Sequence, residues 1–448
     1  MLNKSNFLLY LMMLPVLGFM SAGCANLEEA PLQMFRHDPR HTGIYESPAI
    51  REKPVMDWYL SLEGRIYGSP VISGNRVYIG DDTGTLYAID KFSGELIWKF
   101  KAGGPIRSTP AVYRENLFFM CSDGLFYSVN AIDGNISWTF RTAGEKKFSA
   151  PGIHGLQPRD SILTDDWDFY NSSAAVEDER VYFGVGAGYV YSLNAGTGEK
   201  VWEYQTGAVV HSSHAIAFEK VYVGSWDGYF YALDKITGEL VWKFQTGIDT
   251  VNYNQVGIQS SPVIGDSTVY FGSRDAHVYS LDALTGNLRW KFFNDYSWVI
   301  VTPIIYNDQL IFATSDSRKF RVLNRENGQL IYDLELASFT FSSPIIAGDY
   351  CYFGSYNGTF YGIDLIGQRI GWNYQTRESA EDQHDILNED LSVNLQKIFT
   401  GPTPADMKRG IDYLESVGAI ISTPVIESGT LYFGTQNGTL YAVIQEER

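Results

Sequence analysis

VYVGSWDGYFYALDKITGELVWKF, residues 221–244, reads as three short strands joined by two tight turns. Aromatic and β-branched residues alternate with period two through Val221–Gly224, Tyr229–Asp234 and Leu240–Phe244, which is the rhythm of a strand and not of a helix. Between the last two strands, Asp234 can accept hydrogen bonds from the turn amides and Gly238 can take the positive φ that closes the turn. The same pattern recurs along the chain, as VYIGDDTGTLYAID from Val77, LFFMCSDGLFYSVN from Leu117, VYFGVGAGYVYSLN from Val181, VYFGSRDAHVYSLD from Val269, LIFATSDSRKFRVLN from Leu310, CYFGSYNGTFYGID from Cys351 and LYFGTQNGTLYAV from Leu431. Eight copies of one unit mean a repeat architecture.

In seven copies an Asp or Asn is followed eight residues later by an aromatic: Trp98, Trp138, Trp202, Trp242, Trp290, Tyr332 and Trp372. Ahead of each unit lies a Ser/Thr-rich stretch such as Gly68-Ser-Pro-Val-Ile72, Ser260-Ser-Pro-Val-Ile264 or Ser422-Thr-Pro-Val-Ile426, which supplies a fourth strand. Four-stranded sheets repeated about every 40 residues bury both faces only by stacking on their neighbours, so the fold class is all-β, an eight-bladed β-propeller of antiparallel blades over residues 54–448. The strands of each blade are called a to d in chain order. The last unit stops without a strand d, and Pro54-Val-Met-Asp-Trp58-Tyr-Leu60 is the segment expected to complete it, closing the ring and supplying Trp58 as the eighth aromatic. These eight aromatics are read as wedges between blades. The seventh blade departs from the pattern, with its turn glycine at 367 and not 368.

The chain of 448 residues carries 34 Lys and Arg against 52 Asp and Glu, a net charge of −18, which excludes a basic nucleic-acid-binding surface. Its start has one cation, Lys4, an apolar run from Phe7 to Met20, and Ser21-Ala22-Gly23-Cys24. Fourteen apolar residues are short for a membrane span, so residues 1–23 are read as an export signal. The pattern resembles a bacterial lipobox, although Ser21 stands where Leu is usual. That resemblance implies lipidation of Cys24, a lipidated linker over 24–53, and contact with the membrane through the anchor only. Cys121 and Cys351 fall in the second and seventh blades and are expected to stay unpaired.

Long spacings between units place insertions at 145–170, 247–257 and 375–418, all between a strand d and the next strand a. In an up-and-down meander these connections share one end of the blade with the b-to-c loops, so that end is expected to be the working face. The first insertion carries Asp165, Asp166, Trp167 and Asp168, read as a solvated acidic loop; it lacks the Gly and distal Glu of a calcium loop, and no metal is expected. In the last insertion Leu387, Leu391, Leu395 and Ile398 have helical spacing, and Thr403-Pro-Ala-Asp406 reads as the capped start of a second helix. The b-to-c loops add Trp226, Asp227, Arg274, Arg318 and Tyr356, a mixture of charge and aromatic side chains suited to binding a protein. His211 and His214, three apart on a strand, are not placed for joint metal binding.

The repeated [DN]-x-x-[TS]-G-x-x-x-W turn, the S-[ST]-P strand and Phe35-Arg-His-Asp-Pro-Arg-His-Thr-Gly43 resemble the pyrroloquinoline-quinone-type propeller repeat family. Two branches of it differ in what they imply. The quinoprotein dehydrogenases would bring an enzyme with a quinone, calcium and a vicinal Cys pair, and no two Cys are adjacent here. The lipidated, non-catalytic branch, similar in its export signal and bare blades, is typified by the lipoprotein subunit of the outer-membrane β-barrel assembly machinery. It implies a periplasmic scaffold without cofactor, monomeric within a complex, whose partner is an outer-membrane barrel insertase. A third reading is a surface adhesion or sensor propeller that binds a ligand in its axial funnel.

Overall fold

The computed structural model describes residues 32–249, 251 and 253–446. The export signal and Cys24 lie outside the described residues. Eight antiparallel sheets form the ring, with strands a, b and c of the blades ending at Asp90, Asn130, Asn194, Asp234, Asp282, Asn324, Asp364 and Ile444. The eighth blade is closed as the sequence implies: Val55–Ser61 pairs antiparallel with Thr439–Ile444, placing Trp58 opposite Ala442. Every blade therefore has a neighbour on both faces. Aromatics of strand c stack on those of strand b in the following blade, as in Phe126 on Phe183 at 3.8 Å, Phe230 on Phe271 at 4.1 Å and Phe360 on Phe433 at 4.4 Å. Such pairs contribute about 0.5–1.5 kcal/mol each beyond their buried area.

The recurrent Trp does more than fill a gap. Its indole N–H donates to a carbonyl in the c-to-d turn of the next blade: Trp58 to Lys91, Trp98 to Ala131, Trp138 to Ala195, Trp202 to Lys235, Trp242 to Ala283 and Trp290 to Arg325. The glycine of that turn lies flat under the ring, so that a Cβ on Gly94 would come within 2.7 Å of Trp58 and one on Gly238 within 2.5 Å of Trp202. Positive φ and indole contact thus demand the same glycine. Two departures noted in the sequence fall at one junction: in blade 7 Gln368 takes the positive φ (49°), and the preceding blade has Tyr332 in place of Trp near Asp364 of that turn, its hydroxyl lacking a hydrogen-bond partner among the described residues. Trp372 has no c-to-d turn to meet, since strand d of blade 8 comes from Val55–Ser61, and donates to Ile50 O instead at 2.9 Å.

The S-[ST]-P motif also acquires a reason. Its second hydroxyl accepts the backbone N–H of the preceding blade, from Ser69 to Thr109, Thr109 to Ser173, Ser173 to Ser213, Ser213 to Ser261, Thr302 to Ser343 and Thr423 to Ser69. This belt of hydrogen bonds ties the inner strands around the axis, where their N–H groups would otherwise be buried unpaired.

Residues 33–45, expected to belong to a linker, are instead packed into the axis. Gln33 pairs with Val112, and the carbonyls of Pro39, Arg40 and Gly43 accept the strand-a amides of Ile216, Ile264 and Ile346. Ile44–Tyr45 adds a parallel fifth strand to blade 7. Arg36, 2% exposed, donates to the carbonyls of His41, Thr302, Pro303 and Pro344, so one guanidinium satisfies acceptors from two blades. The chain thereby stoppers the ring at the end away from the insertions.

The insertion at 375–418 is less helical than its spacing suggests. Three helices form, α1 (Arg377–Glu381), α2 (Leu395–Ile398) and α3 (Pro404–Ser416). Leu387 bridges to Val393 in extended backbone and Leu391 has φ 63°, so that apolar rhythm is a turn folded over the ring and not one helix. Thr403 and Asp406 do form the reciprocal cap of α3, with Pro404 in its first turn. Cys121 and Cys351 are buried free thiols in separate blades. Among the described residues no helix is long and apolar enough to cross a membrane.

Candidate functional site: a charge-locked cap over the axis

All three insertions do project from one face, and there they interlock. Residues 145–170 form a small hairpin, Ser149–Pro151 against Ile162–Thr164, whose Ala150, Ile153 and Leu156 pack with Tyr253 of the second insertion and Met407 of α3. Beneath lies a second hydrophobic core in which Trp167, Phe169, Phe339, Phe341 and Tyr356 meet Ile398, Ile411 and Leu414 of the helices. The ring is therefore capped at this end and stoppered at the other.

Charged groups hold the cap down. Asp165, with no exposed surface, accepts from Arg274 at 2.6 Å, from His154 at 3.0 Å and from the Trp167 amide at 2.8 Å. Arg274, equally buried, is sandwiched between Trp226 at 4.6 Å and Trp298 at 3.8 Å. Trp226 in turn stacks on Phe148 at 4.7 Å. Burial pushes the Asp165 carboxyl up, but the charges of Arg274 and His154 outweigh it and hold the group well below the usual carboxylate range. Beside it His211 bridges Asp168 at 2.6 Å and Glu145 at 2.5 Å. Burial alone would lower the pKa of this ring, whereas the two carboxylates raise it to about 10, making it an imidazolium that donates from both nitrogens. His214, buried without a carboxylate, is pushed down to about 3.

These contacts correct the expectation of a solvated acidic loop with exposed aromatics. Asp165, Asp168, Trp167, Trp226, Arg274 and Tyr356 are all under 10% exposed and cannot touch a partner in this conformation. They are the fastening of the cap, because desolvated charges persist only when paired and aromatic area only when covered. Asp227 is structural as well, accepting from the Gly207 amide and the Tyr231 hydroxyl, as Asp123 and Asp275 do in their blades. Asp166 is half-buried, and only Arg318 of the group is exposed. Sequence reading missed Glu145, His154 and Trp298. Glu145 and His211 are 66 residues apart, and no local pattern announces such a pair. Among the described residues no group of three or more His, Cys, Asp or Glu is placed to hold a metal ion.

Architecture and cap together define a closed eight-bladed propeller of the quinone-type repeat. The chain belongs to the family described as outer membrane protein assembly factor BamB, whose profile matches residues 52–163, 154–293 and 297–448. No curated protein matches it in sequence. BamB from Moraxella catarrhalis has a similar fold, with TM-score 0.62, 15% identity, and coverage of 88% of this chain and 99% of that one. So do a europium-containing methanol dehydrogenase, with TM-score 0.66, 13% identity and coverage of 93% and 99%, and the quinohemoprotein alcohol dehydrogenase from Comamonas testosteroni, with TM-score 0.67, 12% identity and coverage of 95% and 82%.

Proposed function

We propose that this chain is a non-catalytic scaffold of the bacterial envelope, lipid-anchored at Cys24, that binds a protein partner through its capped face in outer-membrane protein assembly. Family membership supports the setting. The observation that carries the partner reading is apolar surface left open on the cap: Ile162 is 67% exposed, Val251 75%, Tyr296 75% and Leu395 49%. Leu395 lies with Val393, Phe339 and Arg318 along a groove of ≈ 260 Å³ between the helices and the blades. Tyr and Arg are among the residues enriched at interface hot spots, and the exposed Tyr296 and Arg318 supply them on this face.

A dehydrogenase is the less supported alternative. The quinone its relatives use would need a broad cleft at the axis, where Tyr67, Tyr170 and Phe341 close in and leave free space of ≈ 30 Å³, room for water and little else. That lack of space speaks against the quinone and against a ligand-binding funnel alike.

A photo-reactive residue at Leu395 or Tyr296, irradiated in native membranes, tests the reading. Cross-links to an outer-membrane protein are expected. A folded Leu395→Asp, Tyr296→Asp variant that still co-purifies with that protein as well as wild type would refute the face assignment.

A further inference from the structure

Next to the charge lock, between blades 2 and 3 on the capped face, lies a cavity of ≈ 140 Å³ lined by Arg107, Lys147, Asn171, Glu145, Asp168 and His211 among others. Its carboxylates are already engaged. Asp168 accepts from His211 and from the Phe148 amide, while Glu145 accepts from His211, Asn171 and the Gly186 amide. His211 is matched by the same two groups. Arg107 and Lys147 are not matched: neither has an ion-pair partner, and the buried Nε of Arg107 has no acceptor, among the described residues. Two cations thus share one cavity without an ion pair to either, although Asp168 and Asp166 act on Lys147 from beyond ion-pair distance.

Burial and then the Arg107 charge push the Lys147 amine down, and the carboxylates of Asp168, Asp166 and Asp165 only partly offset them. Arg107 is held in place by its stack on Tyr67 at 4.8 Å and by the Asn171 amide, which donates to its carbonyl. It also lines the small axial cavity, so it stands at the doorway between the two spaces. A planar guanidinium and an ammonium converging on a small volume are the donor set that oxyanions select.

We propose that Arg107 and Lys147 form a binding site for a small dianion, a dicarboxylate or phosphate, taken up from the capped face. The volume admits an ion of that size and excludes a nucleotide or a quinone. Bound there, the anion neutralises both cations and cements the first insertion to blade 2. The site does not depend on the partner reading, since the cavity would fill whether or not a protein docks outside it.

Equilibrium dialysis of the purified protein against labelled succinate and labelled inorganic phosphate, at matched ionic strength in chloride, tests this. One saturable equivalent is expected at millimolar concentration or below, weakened about tenfold or more by Lys147→Gln, given the strength of charge-assisted hydrogen bonds, and unchanged by Lys53→Gln on the exposed entry segment. Uptake of succinate alone assigns a carboxylate ligand, uptake of phosphate alone a phosphate, and uptake of both a general oxyanion site. Among the described residues the Lys147 side chain makes no hydrogen bond that its replacement would break, so Lys147→Gln should fold. Arg107→Gln adds a second test, read only if its circular dichroism matches wild type. Absence of saturable uptake of either anion, or uptake unaffected by Lys147→Gln, overturns the proposal.

Discussion

Replacing Asp165 with Asn keeps the shape of the side chain and removes its charge, which isolates what the ion pair does for the cap. Arg274 has no exposed surface and Asp165 is the one carboxylate ion-paired with it among the described residues, so the variant leaves a guanidinium buried between two indoles without its ion-pair partner. Breaking a buried pair from one side costs about 3–5 kcal/mol. With an unfolding entropy of about 2.1 cal/mol/K per residue over about 400 residues, a loss of about 4 kcal/mol lowers Tm by about 5 °C if the ring and cap melt together. If the cap opens alone, the whole cost falls on it, and amide hydrogen exchange in residues 145–170 accelerates by about a thousandfold. Differential scanning calorimetry with exchange mass spectrometry reads both. Adding Arg274→Met should recover much of the loss, because a pair removed together leaves no stranded charge. An Asp165→Asn protein that melts within a degree of wild type, with unchanged exchange in the cap, would show that this lock holds nothing.

The His211 bridge makes stability pH-dependent in a stated sense. Its folded pKa of about 10 exceeds the unfolded value near 6.5, so its contribution is complete below about pH 6.5 and is lost as pH rises through about 10; the decline in Tm over that window should flatten in His211→Gln. Trp58→Ala removes the wedge and the N–H donated to Lys91 on the strand that closes the ring, and should cost about 3–5 kcal/mol in chemical denaturation. Gln368→Gly relieves a positive φ, and Tyr332→Trp restores the usual wedge above it; the pair is expected to stabilise by about 1 kcal/mol or more beyond the sum of the single changes, measured by a double-mutant cycle. Gly94→Ala should be worse than an ordinary turn substitution, since it meets both φ +73° and the Trp58 ring. A loss within the range of surface substitutions would contradict the contact.

Blade number, strand boundaries, ring closure by Val55–Ser61 and the common face of the insertions were all legible in the amino-acid sequence, because a repeat states each local rule eight times and every copy is read against the others. The S-[ST]-P and Trp positions could be located, and the Trp read as a wedge, but their hydrogen bonds could not be foreseen, since the partners lie in the next blade. The plug at 33–45 and the cap were decided only in three dimensions. Asp165 and Arg274 are 109 residues apart, and Arg36 reaches carbonyls more than 260 residues away. Polar residues such as Asp165, Arg274 and Tyr356 look like loop surface in one dimension. Whether they face water or one another depends on which insertions fold over which blades, and that placement is set by long-range packing, which occurs once in the chain and leaves no periodic trace.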